Sequence, residues 1–174
     1  MKQLIIILIL SIGSISLKAQ TNDTPYYTQP NLHKFEGEWV FDDGSTSFKI
    51  ILKVQKTYVK GQKPFYIDNI VGYHIYTKSK SMLQSSIGKD KTISSGGFVD
   101  NNNIYKINFL FIDLQRTTGS IPPPLERGTL ELLSDTTAKW SIRPGEGVIL
   151  KGPDIKPSDY KVHVPTNLVL KKVK

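Results

Sequence analysis

At 174 residues the chain fits one domain with a sizeable core rather than two. It has no cysteine, which excludes disulfides and a cysteine lipid anchor and leaves little basis for a structural zinc site. The formal charge is +8, yet there is no block of five or six like charges and no nucleic-acid-binding motif, so no nucleic-acid partner is expected.

The first twenty residues set the compartment. Lys2 is followed by an apolar run from Leu4 to Ile12 broken only by Ser11, then Gly13-Ser14-Ile15-Ser16 and Leu17-Lys18-Ala19-Gln20. This is the layout of a secretory signal peptide, residues 1–19, with Ala19 before the cut. The run is shorter than the roughly 20 residues that span a bilayer, so no membrane anchor is expected. Cleavage removes Lys2 and Lys18 and no acidic residue, leaving 155 residues at +6 in the periplasm or outside the cell. Scattered lysines of this kind first keep a protein soluble, and second favour anionic lipids or acidic glycans.

Residues 20–33, with Pro25 and Pro30, read as a flexible leader, and 34–174 as a single β domain. From Phe35 the period is two. Phe48, Ile50, Leu52 and Val54 alternate with Lys49, Ile51 and Lys53, and Ala138, Trp140 and Ile142 alternate with Lys139, Ser141 and Arg143. The runs Ile67 to Tyr76 and Ile104 to Leu114 are β-branched and aromatic, and are expected to be covered on both faces for part of their length. Shorter candidate strands are Thr92 to Val99, Gly128 to Leu133 and Asn167 to Val173. No amphipathic helix of three turns is found.

Turn chemistry links these strands. Asp42-Asp43-Gly44-Ser45 predicts a hairpin in which Trp39 faces Phe48 and Phe41 faces Thr46. Ser134 to Thr137 and Asp100 to Asn103 predict two more, giving an antiparallel meander. Lys78 to Lys91 reads as a loop or a ragged edge strand. Ile121 to Pro124 is a stiff connector, and the Pro- and Gly-rich stretch 144–165 is a long excursion, a candidate binding loop.

Phe35-Glu36-Gly37-Glu38-Trp39 resembles the Gly-x-Trp opening of lipocalin-like barrels. The resemblance implies that Trp39 plugs one barrel end while a basic residue from a late strand stacks on it, Arg143 and Lys171 being the candidates. Ser158-Asp159-Tyr160 stands too near the end of the chain to be the second lipocalin motif. More broadly, Phe-x-Gly-x-Trp, Tyr66-Ile67-Asp68-Asn69-Ile70-Val71-Gly72-Tyr73 and Pro165 to Lys172 resemble a family of small secreted Bacteroidota proteins with no assigned function. Asp135-Thr136-Thr137 resembles the O-glycosylation acceptor motif of those bacteria, which marks Thr136.

No catalytic set emerges. His33, His74 and His163 share no ligand spacing, and His74, opposite in phase to Tyr73 and Ile75, is expected to face solvent and to tolerate substitution. Glu36, Glu38, Asp42 and Asp43 include no convincing pair for glycoside hydrolysis, because a turn accounts for the two aspartates. There is no Gly-x-Ser-x-Gly elbow and no phosphate-cradling loop, so no cofactor and no enzyme activity are expected. The fold class is all-β: one antiparallel lipocalin-like barrel or strongly curved meander of about eight to ten strands, with a β-sandwich as the alternative. The function reading is a non-enzymatic exported protein that binds a small apolar or amphipathic ligand. The alternative is a glycan- or protein-binding module using the 144–165 loop. A filled interior argues against the carrier.

Overall fold

The computed structural model describes residues 24–96, 103–115, 125–143 and 161–173. The signal segment 1–19, the Ile121 to Pro124 connector, most of the 100–103 turn and 144–160 lie outside the described residues.

The described chain is an antiparallel β-barrel. The strands are β1 (Tyr26–Tyr27), β2 (Gly37–Asp42), β3 (Thr46–Val59), β4 (Phe65–Lys78), β5 (Ser81–Ser85), β6 (Ile93–Ser94), β7 (Lys106–Phe111), β8 (Glu126–Ser134), β9 (Thr137–Arg143) and β10 (Asn167–Lys172). Eight of them close a ring in the order β4-β3-β2-β10-β9-β8-β7-β6, with β6 pairing back to β4 through Ser94 opposite Val71 and Ile93 opposite Gly72. β1 and β5 lie outside the ring, both paired to β4.

Closure rather than a sandwich follows from the length of β4. Its fourteen residues pair with β3 from end to end, and its other edge serves β5, β6 and β1 in successive segments. One long, twisted strand thereby joins both ends of the meander.

The period-two pattern decides what fills the barrel. Phe48 of β3, Phe109 and Phe111 of β7 and Trp140 of β9 point inward and meet across the lumen. Phe109 stacks on Trp140 at 4.7 Å and 26° between ring planes, and Phe48 lies 5.2 Å from the same indole. Gly128, opposite Phe109 on β8, makes that stack fit, since a Cβ there would overlap the Phe109 ring.

Several expectations change in detail. The first hairpin turns around Gly44-Ser45: Asp43 N–H donates to Thr46 O, so Phe41 faces Phe48 and Trp39 faces Ile50. Asp43 selects this register by accepting hydrogen bonds from the backbone N–H groups of Ser45 and Thr46, with Gly44 at φ 85°. β7 is covered on one face only, with Asn108 and Leu110 exposed outward. The second half of the expected leader is docked. Tyr26–Tyr27 adds to β4, and a 3-10 helix, Pro30–Phe35, buries Leu32 and Phe35 in the core. Of the two readings of Lys78 to Lys91, the ragged edge strand holds: after a tight turn at Ser79 and Lys80, both at positive φ, β5 pairs with β4 across a register shift.

Candidate functional site

The outward side chains of β7, β8 and β9 form three rows across the sheet. Lys106, Glu131 and Lys139 are in register in the first, Asn108, Thr129 and Ser141 in the second, and Leu110, Arg127 and Arg143 in the third. Together they line a concave cleft of about 660 Å³, bordered by Ser95 and Gly96. Arg127 and Arg143 are directly opposite each other, an arrangement that costs stability through like-charge repulsion. Among the described residues, the side chains of Lys106, Arg127, Lys139 and Arg143 form no hydrogen bond or ion pair with any neighbour. Rows two residues apart are about 6.6 Å apart, so the two cationic rows flank the uncharged one at a separation of about 13 Å.

Inside the barrel, a polar chain runs from the core to the rim. His74 is fully buried on β4, and its ring bonds Thr92 Oγ1 at 2.8 Å through Nδ1 and Gln84 Oε1 at 3.1 Å through Nε2. Gln84 Nε2 donates to Asp113 Oδ1 at 2.8 Å, and Asp113 Oδ2 accepts from the backbone N–H of His163 at 2.6 Å. Leu114 N–H also donates to Gln84 Oε1, which fixes that amide as the acceptor facing His74. His74 therefore carries its proton on Nε2 and accepts the Thr92 hydroxyl at Nδ1, as a neutral imidazole. Burial holds its pKa below the usual histidine value, against the opposing pull of the Gln84 hydrogen bond and the Asp113 charge.

The expectation that His74 faces solvent is thus corrected. Both faces of β4 carry apolar residues, so its own pattern does not say which is inward. Pairing with β3 decides it: His74 is opposite the inward Ile50.

The other barrel end is closed by Trp39. Its Nε1 donates to Phe35 O at the end of the 3-10 helix at 2.9 Å, and its indole is fully buried. The cation on this ring is Lys172, whose Nζ lies 5.1 Å from the ring centre and donates to Lys34 O. Arg143 instead lies on the outer face described above, and Lys171 is exposed between Val40 and Thr137.

A model of a family of unknown function, DUF6705, matches residues 1–173. The chain belongs to that family. No curated protein and no solved structure matches it.

For this DUF6705 chain, the remaining candidates resolve into local roles. Glu36 accepts hydrogen bonds from Val54 N–H and from His33, and Glu38 pairs with Lys49 at 3.2 Å. Burial would raise the Glu36 pKa, but those hydrogen bonds, helped by the charges of His33 and Lys172, hold it below the ordinary carboxylate value. Asp42 and Asp43 bond the turn backbone. His33 and His163 bond Glu36 and Asp113 respectively. Among the described residues, no three His, Asp or Glu side chains are grouped to hold a metal ion. No described helix is long and apolar enough to cross a membrane.

The basic outer face of the DUF6705 barrel was legible residue by residue but not as a group. Alternation marks Lys139, Ser141 and Arg143 as outward, yet only strand register brings Arg127 opposite Arg143. Lys172 was within reach too, since inward Leu170 puts residue 172 inward and residue 171 outward.

Proposed function

We propose that this protein works outside the cytoplasm as a non-enzymatic binding module, and that its ligand is an acidic glycan held on the outer face of β7, β8 and β9. The observation that carries this reading is the Arg127–Arg143 pair, two residues directly opposite each other across β8 and β9 that line one cleft and have no ion-pair partner among the described residues. A guanidinium fork takes a carboxylate or sulfate with two parallel hydrogen bonds. The uncharged row of Asn108, Thr129 and Ser141 supplies donors and acceptors suited to sugar hydroxyls, with Lys106 and Lys139 beyond it. Export rests on the signal-peptide pattern of residues 1–19, from Lys2 through Ala19. A carrier for an apolar ligand has less support, because the rings of Phe48, Phe109, Phe111 and Trp140 meet where such a ligand would sit.

The test is titration of the purified mature chain with oligogalacturonate, with a neutral dextran oligomer as control. Binding is expected for the acidic polymer alone, weakening as salt rises. The double substitution Arg127→Ser and Arg143→Ser should lower affinity at least about tenfold, the loss of one strong charged hydrogen bond or more. Unchanged affinity in that variant overturns the assignment.

A further inference from the structure

A second surface stands apart from the basic cleft, where β3 and β4 run on past the end of β2. The last β2–β3 pair is Gly37 with Leu52, but β3 continues to Val59. On the far side of this extension, β1 covers the β4 edge at Tyr66 and Ile67. The β3 edge has no such cover among the described residues beyond Val54, whose N–H donates to Glu36 Oε1 at 2.7 Å. Peptide direction alternates along a strand, so the N–H and C=O of Lys56 and Tyr58 point the same way as that of Val54. Neither residue bonds another described group on that side.

The side chains around this edge are of two kinds. Tyr26, Tyr66 and Tyr58 lie in one row across β1, β4 and β3, and Tyr58 is 51% exposed. The Lys56 ammonium sits 4.4 Å and 4.3 Å from the ring centres of Tyr26 and Tyr66, on the same face. Lys53 projects from the opposite face and is exposed, as are Lys60 and Lys63 at the hairpin turn. The acidic group in register here, Asp68 opposite Lys56, is taken by the Tyr26 hydroxyl and Gln29 N–H.

We infer that the β3 edge at Lys53–Val59 is a docking site for an acidic peptide in extended conformation, which adds to the sheet as a strand beside β3. Main-chain hydrogen bonds to Lys56 and Tyr58 give such a partner its register, and alternate side chains meet the tyrosine row. Charge selects it. Lysines on both faces of an exposed edge repel a second copy of the same edge, which is how edge strands avoid self-association. The same lysines attract a strand carrying Glu or Asp. The inference is independent of the glycan reading, since it uses a different part of the barrel.

The experiment is an NMR titration of the mature chain with an eight-residue, end-capped peptide of alternating Glu and Val, with a Lys-Val peptide as control. The acidic peptide should shift resonances of 53–59 and slow amide exchange at Lys56 and Tyr58 by about tenfold or more, while the basic one does neither. Lys56→Pro removes one outward N–H without touching the β4 ladder, and should weaken binding about tenfold. Lys53→Glu with Lys56→Glu, which leaves every backbone donor in place, should do the same if the proline variant misfolds. Three results would overturn the inference: equal binding of both peptides, shifts confined to Lys106–Arg143, or Lys56 and Tyr58 amides already protected in the free protein.

Discussion

The two ends of this barrel are closed by opposite chemistry. At one end Trp39 is held by a single hydrogen bond to Phe35 O and capped by Lys172, with Leu32 and Phe35 adding apolar cover. Toward the other, Thr92, His74, Gln84 and Asp113 form a hydrogen-bonded chain that ends at His163 near the rim. An apolar plug tolerates small errors of position, because burial is not directional. A polar chain does not, since each member left without its partner pays for its own desolvation. The first end should therefore fail through lost volume and the second through lost pairing.

The largest effect is expected at the plug. Trp39→Ala removes a fully buried indole and should cost about 3–5 kcal/mol. For a chain of this size that corresponds to a fall in melting temperature on the order of 10 °C, read by thermal denaturation. A fall of only a degree or two would place the closure in the 3-10 helix rather than in the indole.

His74→Ala comes next. It removes one hydrogen bond from the Thr92 hydroxyl, which keeps Ser86 Oγ, and one from Gln84 Oε1, which keeps Leu114 N–H, at about 0.5–1.5 kcal/mol for each bond lost. Its signature is pH. Because the folded-state pKa is depressed, the unfolded chain takes up the proton first, so the wild type loses stability as pH falls below about 6.5. The gap between wild type and His74→Ala, measured by urea unfolding, should accordingly narrow toward pH 5. A gap that does not change with pH would mean that His74 contributes volume alone, and the two ends would then be alike.

The smallest effect belongs to Lys172. Replacing it with Met keeps the stem over Trp39 and removes the cation, which should cost about 0.5–1 kcal/mol. Lys171→Met, outside the barrel at an exposed position, should change unfolding by less than that. Equal effects would show that general charge, and not the ring contact, is what Lys172 supplies.

Legibility differed between these regions for a physical reason. Trp39 is legible because a tryptophan two residues after a glycine, at the head of a strand, is a local signal. His74 has no such signal, because β4 is apolar on both faces and its inward side is set by Ile50 across the ladder. The Ser79-Lys80 turn is not legible, because two non-glycine residues at positive φ carry little sequence signature. The outer cleft fell between these cases: each cation was assignable to a face, but their adjacency was not.

By itself, the sequence determined the β class, the alternation that buries Phe48, Ile50, Trp140 and Ile142, and the Trp39 signature, because each depends on residues a few positions apart. Only the tertiary structure decided the closure of the ring through β4, the neutral His74 and its hydrogen-bonded chain, and the pairing of Arg127 with Arg143. All three depend on strand register between distant segments. A shift of one residue there would turn every side chain to the other face, and no local pattern records it.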